Sequence, residues 1–169
     1  MANPADPLYN LIARIRQPAT MREIMASCLR HVYTRDPFLD GQLPAPPAEL
    51  MKNIQVSETI VAGARCVVYT RADASASQPL VIYLHGGGYV IGTSEDTDYT
   101  TRAISYGTGA KVVSVNYTLS PDVRYPVALE ETSAVLDHYA AQQADSRKIF
   151  AMGDSAGGGL AAARRVRNE

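Results

Sequence analysis

Little in this sequence points to a metal, a disulfide framework or a polyanion. Its 169 residues hold only two cysteines, Cys28 and Cys66. Neither stands in C-x-x-C or metal-ligand spacing, which argues against a stapled scaffold or a zinc site and fits the reducing cytoplasm. Charge of one sign is also lacking: the formal net charge is -1. The only basic cluster, "ARRVR" near the C-terminus, reads as a solvated helix end, so neither nucleic acid nor an acidic membrane surface is expected as a partner. No apolar run approaches the ~18 residues of a membrane span. The start "MANPADPLYN" lacks the basic and apolar regions of a secretory signal. Histidine is scarce, at His31, His85 and His138. That scarcity limits which groups can act as a base near neutral pH.

What is present is the material of an ordinary globular domain, with 46% hydrophobic residues. "PATMREIMASCLRHVYTR" places Met21, Ile24, Met25, Cys28, Leu29 and Val32 at helical spacing, and the proline-broken "DGQLPAPPAEL" follows it. Residues 1–50 therefore read as an amphipathic helical lead-in, with His31 beside the stripe as a packed or solvated residue. From Asn53 onward strand and helix alternate. "IQVSETIV" and "ARCVVYT", parted by Ala62-Gly63, predict a hairpin or adjacent strands. "LVIYLH", "KVVSVNY" and "KIFAMG" are continuous apolar runs of the kind expected in strands buried on both faces of a parallel sheet. Between them, "SEDTDYTTRAISYGTG" and "YPVALEETSAVLDHYAAQQ" read as helices. The second carries Ala128, Leu129, Thr132, Val135, Leu136 and Tyr139 on one side, Pro126 at its first turn and His138 on the surface. The expectation is a three-layer α/β fold with a mostly parallel sheet over residues 53–169.

Ligands of such sheets bind at the carboxyl ends of the strands, and two glycine-rich segments fall there. "GDSAGGG" sets Ser155 between Gly153 and Gly157 as G-x-S-x-G, after a strand and before a helix. A serine on so tight a turn has a strained backbone and an exposed hydroxyl, and flanking side chains would collide. The other segment is "HGGGYV", residues 85–90. Without side chains at Gly86, Gly87 and Gly88, the backbone can aim N–H groups at an oxygen that becomes charged when a serine attacks an ester, with the Ala156 N–H as a further donor.

With "VNYTLSPDVRYPVALEE" between them, these segments resemble the hormone-sensitive-lipase family of α/β-hydrolases, and "NYTLSPDVRYP" is similar to its bacterial acetyl-esterase members. The likeness runs from about Asn53 to Leu160, and more loosely over the N-terminal region, which in the family contributes to a cap. It implies a cofactor-free, metal-free carboxylesterase acting on small esters of short acyl chains. By the same correspondence Ser155 is the nucleophile, and Gly87, Gly88 and Ala156 form the oxyanion hole. His85 then braces the glycine loop with Gly86, and Asp154 belongs to the elbow with Gly153 and Gly157 rather than being the triad acid.

The family order is serine, acid, histidine. Here Glu169 stands fourteen positions past Ser155, and no histidine follows the serine. Arg164, Arg165 and Arg167 also occupy a helix expected to be apolar. The expectation is thus a hydrolase incomplete at its C-terminus, without triad acid or base, and with "KIFAMG" as an exposed sheet edge open to self-association. A non-catalytic remnant of the fold is the rival. Two other readings rest on the same glycines. Gly157 to Ala162 match G-x-G-x-x-A, a relaxed dinucleotide fingerprint without its acidic residue some twenty positions on. "GDSAGG" occurs in trypsin-like proteases, but there the serine follows its histidine and aspartate in an all-β barrel.

Overall fold

A computed structural model describes residues 48–75, 77–142 and 148–166. The helical segment expected over residues 1–50, with Cys28 and His31, lies outside them except for its last three residues, which open α1 (Ala48–Lys52). The two β-branched runs pair as an antiparallel hairpin of β1 (Ile54–Val61) and β2 (Ala64–Arg71), in register from Ile54↔Arg71 to Val61↔Ala64. Ala62 and Gly63 take φ values of 50° and 87°. Two successive positive φ angles give a two-residue turn the twist its strands need.

The three apolar runs become β3 (Leu80–Leu84), β4 (Lys111–Asn116) and β5 (Ile149–Gly153), all parallel. β2 pairs antiparallel with β4, so the sheet is mixed, with the order β1-β2-β4-β3-β5. α2 (Asp98–Thr108) joins β3 to β4 and stops at Gly109, which takes φ 69° and donates its N–H to the Ser105 carbonyl at 3.0 Å. α3 (Val127–Gln142) starts directly after Pro126, whose carbonyl accepts the Glu130 N–H. α4 (Ala156–Val166) follows β5.

Alternation along the strands sorts their side chains onto two faces. Leu80, Ile82, Leu84, Val113 and Val115 pack with Leu129 and Val135 of α3 and Leu160 of α4. Val81, Tyr83, Val112 and Tyr69 form the opposite cluster, against Ile104 and Tyr106 of α2. Helices on both faces make the three expected layers, and each aliphatic side chain so buried contributes about 1.5–3 kcal/mol. The α3 stripe lies as its spacing predicts, with Leu129, Thr132 and Val135 buried and His138 exposed. One expectation fails. β5 is not buried on both faces: Phe150 and Met152 are 49% and 42% exposed, and the strand is instead the exposed edge also expected of it, pairing among the described residues only with β3. The register Leu84↔Gly153 brings the ends of β3 and β5 together. The glycine loop and the serine turn therefore leave the same edge of the sheet side by side.

Candidate active site

Ser155 stands between Gly153, the last residue of β5, and Ala156, the first of α4. Its φ of 48° is the left-handed conformation that L residues avoid at a cost of ~1–3 kcal/mol, and its side chain is exposed. The glycines around it make the turn possible. A side chain on Gly157 would meet the carbonyls of Leu84 and His85, and one on Gly153 would come 2.5 Å from the Leu84 oxygen. The first turn of α4 can press against the end of β3 only because both positions are bare.

Across from this elbow, Gly87 takes φ 112°, and any Cβ there would strike the Ile91 carbonyl. Its own carbonyl accepts the N–H groups of Val90 and Ile91, both at 3.1 Å. In a trans peptide the N–H points opposite to the C=O, so the Gly88 N–H is turned away from the loop interior. Among the described residues, no hydrogen bond takes up the amides of Gly87, Gly88 or Ala156. Unengaged amides on a bare loop and at a helix start are ready to receive an anion.

The residues behind the loop hold it in place. His85 is buried, and its Nδ1–H donates to the Gly86 carbonyl at 2.7 Å. Its ring stacks on Tyr117 at 4.3 Å and 11°, while the Tyr117 hydroxyl donates to the His85 carbonyl at 2.7 Å. Burial drives the His85 pKa below its ordinary value, which keeps the ring neutral. Asp154 accepts a hydrogen bond from the Tyr83 hydroxyl at 3.0 Å, and a side chain on Gly86 would fall on its carboxylate. Burial, with Asp154 beside it, pushes the Tyr83 phenol up to about 12, so it remains a donor. Further out, the Ser94 N–H donates to Asn116 Oδ1 at 2.7 Å, and Glu131 accepts from both the Thr118 amide and hydroxyl at 2.7 Å.

The structure thus brings Ser155, Gly86, Gly87, Gly88, His85, Gly153, Asp154, Ala156 and Gly157 into one neighbourhood. Neither described histidine hydrogen-bonds to Ser155: the His85 ring is engaged by Gly86 and Tyr117, and His138 Nε2 by Gln142 at 2.8 Å. Tyr83 and Tyr117 escaped the sequence reading because a tyrosine within an apolar run looks like core. The one signal was position, since Tyr83 precedes His85 by two residues. The glycines of the dinucleotide pattern serve another purpose. The amides of Gly157 and Gly158 bond to the Asp154 carbonyl and that of Gly159 to the Ser155 carbonyl, which leaves none of the three for a pyrophosphate. No group of three metal-ligating side chains and no helix long and apolar enough to cross a membrane occurs among the described residues.

Residues 81–169 match a family model described as an alpha/beta hydrolase fold. An acetyl esterase of Salmonella schwarzengrund (strain CVM19633) is 44% identical over 92 residues, which cover 52% of this chain and 28% of the relative. Among solved structures, an esterase from the bacterial hormone-sensitive lipase (HSL) family shares 28% identity with a TM-score of 0.67, covering 92% of this chain and 48% of its own. EstE5, soaked with p-nitrophenyl butyrate, shares 26% identity with a TM-score of 0.66, covering 85% of this chain and 52% of its own. The matched stretch spans 28% of that curated relative and about half of these solved ones.

Proposed function

Because the chain belongs to the α/β-hydrolase fold family, we propose that it carries the nucleophile and oxyanion hole of a serine carboxylic-ester hydrolase. The observation that carries this reading is an exposed serine at φ 48° on a turn packed against the start of the glycine loop, together with the Gly87, Gly88 and Ala156 amides that no described acceptor engages. Ser155 Oγ attacks the carbonyl carbon of a small ester, and the C=O π electrons move onto the oxygen. That oxyanion takes up the Gly87, Gly88 and Ala156 N–H groups, each worth ~2.7–4 kcal/mol in the transition state. Collapse of the tetrahedral species re-forms the carbonyl and expels the alcohol as its C–O bond breaks, and water then releases the acid from acyl-Ser155. His85 and Asp154 hold the glycine loop and the elbow in register. The base that takes the serine proton, and the acid that orients it, are not among the described residues.

Short acyl chains are the proposed substrate class, in keeping with the acetyl esterases the chain is similar to. No cofactor enters this chemistry. The buried free thiol of Cys66 fits a cytoplasmic setting. Hydrolysis of p-nitrophenyl acetate, measured with and without Ser155→Ala, tests the reading. The 169-residue chain should turn over slowly and only through Ser155, and an extension through the remaining length of its relatives should raise turnover by up to ~10⁶. Hydrolysis by the extended chain that survives Ser155→Ala would refute the assignment.

A further inference from the structure

Beside the serine turn lies a cavity of about 280 Å³, lined mainly by carbon, with Tyr89, Val123, Leu129, Gly159, Leu160 and Ala163 in its wall. Tyr89 and Gly159 tie it to the chemistry. Tyr89 follows Gly88 directly on the glycine loop, and Gly159 lies one helical turn beyond Ser155, with its N–H on the Ser155 carbonyl at 3.1 Å. One wall therefore belongs to the segment proposed to hold the oxyanion and another to the helix that carries the nucleophile.

Tyr89 is held at φ 64°, a rare conformation for an aromatic residue, and its carbonyl accepts the Ser120 N–H at 2.7 Å. Tyr89 lines the cavity and is 41% exposed. A Cβ on Gly159 would stand 2.8 Å from the Tyr89 hydroxyl, so a side chain at position 159 would have to displace the end of Tyr89 in the cavity wall. Resting on the esterase reading, we propose that this cavity is the subsite for a short unbranched alkyl chain of the ester, with Tyr89 and Gly159 limiting its size. Ligand pockets usually hold about 300–1,000 Å³, and at about 280 Å³ this one suits a few methylenes rather than a long or branched chain. The chain could come from the acyl or the alcohol side, since both leave the carbonyl carbon at Ser155.

A binding experiment decides this without turnover. The full chain carrying Ser155→Ala is titrated with p-nitrophenyl acetate, p-nitrophenyl butyrate and butyl acetate, following nuclear Overhauser contacts from the alkyl protons to the Tyr89 ring and the Leu129 methyls. Contacts from butyrate assign the acyl chain, and contacts from the butyl group assign the alcohol. Affinity should rise about fourfold per methylene along the assigned arm. Adding Gly159→Val should bring the longer probe's advantage back toward one. Ala163→Leu fills the cavity from its far end and serves the same purpose if Gly159→Val fails to fold. Alkyl contacts elsewhere, or an undiminished preference in both variants, would overturn the subsite. Ser155-dependent hydrolysis without these contacts would remove the subsite alone, whereas these contacts alongside Ser155-independent hydrolysis would remove the esterase reading alone.

Discussion

A methyl group at position 157 has nowhere to go, because the Leu84 and His85 carbonyls occupy its place. Gly157→Ala should therefore cost ~1–3 kcal/mol of stability in urea titration as α4 is pushed off the end of β3. Gly107, near the end of α2, has nothing within 4 Å of its would-be Cβ. Gly107→Ala should instead gain ~0.4–1 kcal/mol, so the same assay separates a glycine required by its neighbours from one merely tolerated. His85 sets a pH limit. Unfolded, its imidazole titrates near 6.5, and burial lowers that value in the folded protein, where Nε2 has no hydrogen-bond partner among the described residues. Between the two values the unfolded chain holds more protons. The contribution of neutral His85 is whole above pH 6.5 and is lost progressively as the pH falls below it. Melting temperature should decline from pH 7.5 toward 5.5, and NMR should find the folded His85 ring titrating below its unfolded value; a ring titrating at or above that value would contradict the buried brace.

The glycine loop is steadied by the residue that follows β4: Tyr117 stacks on the His85 ring and bonds to the His85 carbonyl. Tyr117→Phe keeps the stack and removes the bond, leaving a buried carbonyl unpaired at a cost of ~1–3 kcal/mol. Urea unfolding checks that loss, and a variant as stable as the parent would show the bond to be dispensable. Much of this arrangement was legible in the sequence. Runs such as "LVIYL" and "KVVSVN" are β-branched and aliphatic enough to declare buried strands, Gly109 marks the end of α2, and G-x-S-x-G after a strand marks the turn at Ser155. The rest depends on neighbours far along the chain. Nothing local places β4 between β2 and β3. Tyr83 and Tyr117 gain their roles from Asp154 and His85 across the sheet edge, and Tyr89 from Gly159, contacts that no hydrophobic period encodes.

For the whole molecule, the open side of β5 and the strand ends beside it lead to different expectations. With Phe150 and Met152 exposed on a strand whose one described partner is β3, the 169-residue chain should self-associate. Light scattering behind size exclusion should show more than a monomer, and Met152→Lys should shift it downward; a monomeric parent would remove this expectation without touching the site. The site itself stands or falls on whether Ser155 is a nucleophile served by the glycine loop. The most direct measurement treats the protein with a p-nitrophenyl alkylphosphonate, whose tetrahedral phosphorus mimics the attacked carbonyl, and locates the adduct by peptide mass spectrometry. The predicted result is a single adduct on Ser155, absent in Ser155→Ala and formed ~10²–10³ times more slowly in Gly87→Ala, where the methyl must displace Ile91 and with it the loop donors. An adduct on another residue, or labelling at an equal rate in Gly87→Ala, would contradict it.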